Sequence, residues 1–129
     1  MGQREEEIVL AYLDAGIEND IDKVLSYLAK DCEWRLNQWS EPPKGVDAIR
    51  SEWERQLGSF TNLPAEFLNI ASTDRVVFSE RADTVHMTNI DRDVRVHIVS
   101  VFELDSEKKI VSERDYFDMK EVEAQMGAA

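Results

Sequence analysis

Cysteine is almost absent. Cys32 is the only one in 129 residues, so no internal disulfide can form and no multi-cysteine zinc site can be assembled. A reducing, cytoplasmic setting is the expectation. Basic residues are also scarce, 15 Lys and Arg against 27 Asp and Glu, for a formal net charge of −12. Charge of that sign repels phosphate backbones and anionic lipid headgroups, and no Lys/Arg cluster offsets it, so neither nucleic acid nor a membrane surface is expected as a partner. No apolar run approaches the ~20 residues of a membrane span. The opening Met1-Gly2-Gln3-Arg4-Glu5-Glu6-Glu7 is acidic where a signal peptide is basic and then apolar. A Gly-rich phosphate loop, a dinucleotide fingerprint and metal-ligand spacing are missing as well, which points to chemistry without a cofactor or a metal.

What is present suffices for a core. With 43% apolar residues, a chain of this length buries roughly two thirds of its unfolded surface as one domain with room for an internal pocket. Ile8, Val9, Tyr12, Leu13 and Ile17 recur at helical spacing and predict a first helix ending near Gly16 to Asn19. Asn19 is the expected cap of a second helix carrying the stripe Ile21, Val24, Leu25 and Leu28, packed on the first as a hairpin. Helical period is then lost, and Glu33 to Trp39 reads as a strand. Val46, Ile49, Trp53 and Leu57 mark a third helix stopped by Gly58. Four β-rich runs follow, Ala65 to Ser72, Arg75 to Thr88, Val94 to Leu104 and Ile110 to Asp118, expected to pair antiparallel. Asp118, with Glu121 three residues on, predicts a short closing helix. Helices first and strands afterwards imply an α+β domain with helices on one face of a sheet.

Strand parity locates candidate chemistry. In Val94 to Leu104 the even positions are nearly all apolar and should face inward. In Arg75 to Thr88 the odd positions run Val77, Ser79, Arg81, Asp83, Val85, Met87, which sets an arginine and an aspartate among apolar neighbours. On the last strand Val111, Glu113, Asp115 and Phe117 share a face. If both ridges point inward, carboxylates and a guanidinium meet in a pocket. Like charges in low dielectric push one carboxyl towards its protonated form while a shared arginine holds the other charged, giving one acid and one base. A solvated ladder of cross-strand ion pairs satisfies the same pattern.

Ser79-Glu80-Arg81-Ala82-Asp83 followed by Glu113-Arg114-Asp115-Tyr116-Phe117-Asp118 resembles the two signature stretches of limonene-1,2-epoxide hydrolases, within the wider NTF2-like and SnoaL-like group. The resemblance extends over most of the chain and includes the element order. It implies an NTF2-like cone, three to four helices packed on a curved, mainly antiparallel mixed β-sheet, and usually a homodimer. It further implies that Asp115 is a general base drawing a proton from water, Asp83 the acid that protonates the epoxide oxygen, and Arg81 the group bonding both. The family also holds its water with an Asn and a Tyr two residues apart on the first strand. Asn37 matches the Asn, and the Tyr position falls on Arg35.

Arg35 is a departure, since guanidinium only donates hydrogen bonds and adds charge. Two placements are open: Arg35 in the pocket near Asp115, as a substrate-binding group or an enolate clamp, or Arg35 pointing away with Trp34 shifted inward. Glu113 is a second departure, at a place where a bulky aromatic of the pocket wall is expected. Leu36, Phe60, Leu63, Leu68, Val85, Met87, Val96, Ile98 and Phe117 are candidate lining residues, suited to a small or medium apolar molecule. His86 and His97 form no ligand spacing and read as exposed or packing residues. Trp34, Trp39 and Trp53 read as core anchors, Cys32 beside Asp31 and Glu33 as unreactive, and the acidic first helix as a solvated face. Three functions fit: an epoxide hydrolase, an isomerase or cyclase in which a carboxylate abstracts a carbon-bound proton, and a non-catalytic binder of small apolar molecules.

Overall fold

Helix α1 spans Gln3–Ile17 and α2 spans Ile21–Ser26 in the computed structural model, which describes residues 2–127. The stripe expected of α1 is the one buried: Ile8, Val9, Tyr12 and Ala15 turn to the core. Its acidic side is less solvated than expected. Glu5 is buried and paired with Lys108 at 2.7 Å, which holds its carboxyl below the usual range, and Glu6 accepts a hydrogen bond from Ser72. Asp20, not Asn19, caps α2, its side chain accepting from the Lys23 amide at 3.1 Å. Asn19 sits at φ 59°, a conformation asparagine tolerates better than most residues. From there its side chain bonds the backbone and side chain of Asn62, a latch between the helix corner and the sheet that a local cap rule does not see.

Strand β1 spans Leu28–Leu36, starting and ending earlier than the expected Glu33 to Trp39. Its early start comes from pairing with the last strand, Leu28 lying opposite Ile110, which no local pattern encodes. It ends where the chain reverses, the Trp39 amide donating back to the Leu36 carbonyl at 2.9 Å. Helix α3 covers Val46–Leu57 and stops at Gly58 as predicted. Strands β2 (Phe60–Thr73), β3 (Val76–Met87), β4 (Arg92–Leu104) and β5 (Ile110–Tyr116) follow, then α4 over Met119–Gln125 with Asp118 as its cap. β2 begins earlier than the expected Ala65. It contains Pro64, which an edge strand accommodates at the register shift between Leu63 and Glu66.

The sheet has the order β1-β5-β4-β3-β2, with β1 parallel to β5 and the remaining pairs antiparallel. This is the expected α+β architecture, four helices packed on a curved, mainly antiparallel mixed sheet. The main core lies between the helices and the inward faces of β1, β3, β4 and β5, centred on Phe102, Ile110, Val77 and Val24, all fully buried. Each such side chain contributes about 1.5–3 kcal/mol by leaving water. No helix among the described residues is long and apolar enough to cross a membrane.

Candidate active site

The register of three strands builds the site. Ser79 of β3 lies opposite Ser100 of β4, and Ser100 lies opposite Asp115 of β5, so two hydroxyls and a carboxyl form one row across the inward face. Arg81 and Asp83 are two and four residues further along β3 on that same face, because side chains alternate along a strand. The inward parity expected of β4 is the one found. Of the two placements open for β3 and β5, the arginine and carboxyls stand inside instead of forming a solvated ladder, although on β5 the register shift turns Ile110 inward in place of Val111.

Arg81 is 5% exposed. Its Nε donates to Asp83 Oδ1 at 2.9 Å, and its Nη1 donates to Ser79 Oγ and Ser100 Oγ, both at 2.9 Å. Ser100 Oγ in turn donates to Asp115 Oδ1 at 2.5 Å. The guanidinium thus bonds one carboxylate directly and reaches the other through a serine, which differs from the expectation that it bonds both. Ser79 opens the first signature stretch without a role of its own, and Ser100 is the one hydroxyl on the otherwise apolar inward face of β4.

Asp115 is buried, and its second oxygen accepts from Trp34 Nε1 at 2.9 Å. This resolves the placement of Arg35. Cys32, Trp34 and Leu36 form the inward face of β1, so Arg35 points away, and its guanidinium donates to the Trp39 carbonyl at 2.9 Å. Arg35 does not line the cavity and is neither a substrate contact nor an enolate clamp. Asn37 is also outside. It is exposed, and its amide donates to the Phe117 carbonyl at 3.1 Å, because the strand has ended and the side chain ties the ends of β1 and β5 together.

Around this cluster lies a cavity of about 640 Å³, within the range of small-molecule sites. Leu36, Phe60, Leu63, Val85, Met87, Val96, Ile98 and Phe117 line it as expected, whereas Leu68 is exposed and does not. Three tryptophans read as core anchors also form its wall, Trp34 stacking on Trp53 with ring centres 5.9 Å apart and meeting Trp39 edge-on at 5.2 Å. Gly16 makes room for this arrangement, since a β-carbon there would lie 3.3 Å from the Trp53 ring. Met119 and Val122 of α4, with Met126 at its C-cap, close one side. Sequence reading did not assign α4 to the site, because its apolar residues are few and the helix is short.

Glu113 lies in the wall next to Asp115 on the same face of β5, and its Oε1 accepts from the Tyr12 hydroxyl of α1. Burial and the adjacent Asp115 charge push the Glu113 carboxyl well above its usual range. Asp83 is raised as well, burial outweighing the pull of Arg81. Cys32 is buried and its thiol is pushed up to about 12, chiefly by burial, so it is no nucleophile. His86 pairs with Asp93 and His97 with Glu121 away from the cavity, and no metal-binding group of His, Cys, Asp and Glu occurs among the described residues.

Residues 9–113 match the family model described as a SnoaL-like domain. Solved structures similar to this one include a limonene-epoxide-hydrolase-like epoxide hydrolase of M. tuberculosis, 23% identical with a TM-score of 0.81, covering 95% of this chain and 88% of the other. Another is the epoxide hydrolase/cyclase-like enzyme SalBIII, which has a role in pyran ring formation in the polyether salinomycin, 21% identical, TM-score 0.81, covering 92% and 94%. A third is a candidate polyketide cyclase from Xanthomonas campestris pv. campestris, 21% identical, TM-score 0.87, covering 97% and 98%. At these identities the likeness is one of fold.

Proposed function

The chain belongs to the SnoaL-like domain family, matched over residues 9–113, and on the site this fold builds we propose a cofactor-independent epoxide hydrolase that adds water to a small or medium apolar epoxide and releases a vicinal diol. The observation that carries this reading is the pair of buried Arg81 and partly exposed Asp83, joined through Ser100 to buried Asp115 inside one largely apolar cavity. Asp115 takes a proton from the incoming water as its oxygen bonds an epoxide carbon. That same carbon's bond to the ring oxygen breaks on the far side, and the leaving oxygen takes the proton of Asp83. The raised Asp83 carboxyl suits an acid. Arg81 fixes Asp83 in register, and the apolar wall excludes competing water. The test is diol formation from a panel of terpene, cyclic and styrene-type epoxides. Asp115→Asn should keep the fold and lose about 10²–10⁴-fold in rate. Equal diol output from the two proteins would remove Asp115 from the mechanism, and no diol from any epoxide would overturn the reading.

A second reading is favoured by the positions of Asn37 and Arg35 outside the cavity. Without the amide and phenol with which the epoxide-hydrolase family holds water, the nucleophile would be a hydroxyl of the substrate itself, and the product a cyclic ether. A hydroxy-epoxide distinguishes the two, giving the ring in one case and the triol in the other. Pairing of two copies is part of the same proposal. It rests on the sheet's outer face, where Phe78, Val99 and Tyr116 are exposed, and sedimentation of Val99→Lys against wild type tests it.

A further inference from the structure

Three carboxyls, Asp83, Glu113 and Asp115, share the polar cluster of the cavity with one guanidinium, Arg81. Arg55 at the rim is two-thirds exposed and paired with Glu52, so it does not compensate them. Arg81 is committed by direct contact to Asp83 and reaches Asp115 only through Ser100. Among the described residues Glu113 forms no salt bridge, and it is 4% exposed and sits two residues from Asp115 on one strand face. Two adjacent buried carboxylates without a cation between them are not stable together, and one of them keeps a proton.

The donors decide which one. Asp115 accepts from Ser100 and from the Trp34 indole, both of which favour its charged form. Among the described residues Glu113 accepts from the Tyr12 hydroxyl alone. We propose that Glu113 is a positioning residue for Asp115: anchored from behind by Tyr12, it keeps its proton and donates it to the Asp115 carboxylate, so that the pair carries one negative charge and Asp115 is held facing the cavity. The direction in which burial shifts Glu113 agrees. The inference rests on Asp115 acting as the base, and it adds a proton-holding partner that the resemblance places as an aromatic.

The experiment joins a direct readout of the proton to a kinetic one. In carboxyl-labelled wild-type protein, the Glu113 carbon assigned by nuclear magnetic resonance should sit at its protonated position at neutral pH and move only on the alkaline side. The ionised position at neutral pH would overturn the proposal, whatever the protein turns over. Glu113→Gln retains a donor and an acceptor. It should retain more of the neutral-pH kcat than Glu113→Ala, and lose the component of the alkaline fall in which ionised Glu113 repels Asp115 while keeping the component set by ionisation of Asp83. An unchanged profile would overturn the positioning role. Tyr12→Phe, which frees Glu113 without altering its charge, should lower kcat about tenfold with KM little changed; an unchanged kcat would count against the anchor. Protonated Glu113 with no epoxide turnover in wild type would sink the hydrolase reading alone.

Discussion

Arg81 concentrates the chemistry of the site in one side chain. It donates to Asp83, Ser79 and Ser100 from a position almost without solvent, and burial works against its charge while Asp83 and Asp115 sustain it. Lysine cannot replace that planar fork. Arg81→Met would leave Asp83 and two hydroxyls without their donor, and a loss of about 3–5 kcal/mol in denaturant unfolding is the expected cost of breaking such a buried cluster. Glu113 gives the opposite sign. Its folded carboxyl titrates well above the ordinary glutamate value of about 4.3. The stability it contributes is therefore complete below that value and declines as pH rises towards the folded one. Glu113→Gln, which cannot ionise, should gain in melting temperature over wild type as pH is raised from 5 towards 9. A gap that shrinks over that window would contradict a protonated Glu113.

At the scale of elements, α4 explains how a cavity stays closed where a strand has run out. Pairing of β5 with β4 ends at Tyr116 opposite Val99, which leaves the stretch of β4 before it without β5 as a neighbour. Glu121 and Gln125 of α4 fill that place: their side chains accept from the backbone amides of His97 and Arg95 at 2.9 and 2.8 Å. The His97 amide and ring hold the Glu121 carboxyl below the usual range. Replacing both Glu121 and Gln125 by alanine should speed hydrogen exchange at Arg95, His97 and residues 119–126, and raise KM severalfold with a smaller effect on kcat. Protection equal to wild type would mean that apolar contacts of Met119 and Val122 alone dock the helix. The sequence carried the existence of α4 through its Asp118 cap, but not its use, since Glu121 and Gln125 look like any solvated residues until the open edge of β4 is known.

The whole molecule divides its apolar side chains between a filled core and an open cavity. Phe102, Ile110 and Val77 pack solidly at one end, while Val96, Ile98, Val85 and Phe117 surround about 640 Å³ at the other. Filling that space separates stability from function. Ile98→Trp should change unfolding by no more than about 1–3 kcal/mol, yet lower turnover and ligand binding at least tenfold, measured by melting and by epoxide consumption. Phe102→Ala should instead cost about 3–5 kcal/mol, with the loss of activity following the loss of fold. The net charge of −12 is similarly divided. Glu7, Asp14 and Asp22 remain exposed, Glu5 is spent on an ion pair that ties α1 to Lys108, and Asp83, Glu113 and Asp115 lie in the cavity.

The sequence by itself determined what depends on period and local chemistry. These are the bounds of α3 between Val46 and Gly58, the cap of α4 at Asp118, the inward parity of β4, and that Arg81 and Asp83 share one face of β3 while Glu113 and Asp115 share one face of β5. Only the tertiary structure decided what depends on pairing over long separations. The parallel register of β1 on β5 sends Trp34 to Asp115 and Arg35 outward, the β3–β4–β5 row puts Ser100 between Arg81 and Asp115, and α1 brings Tyr12 to Glu113. The alternation of side chains along a strand is a property of the strand alone. Which strand lies beside it, and with what offset, is set by the core that all of them bury together.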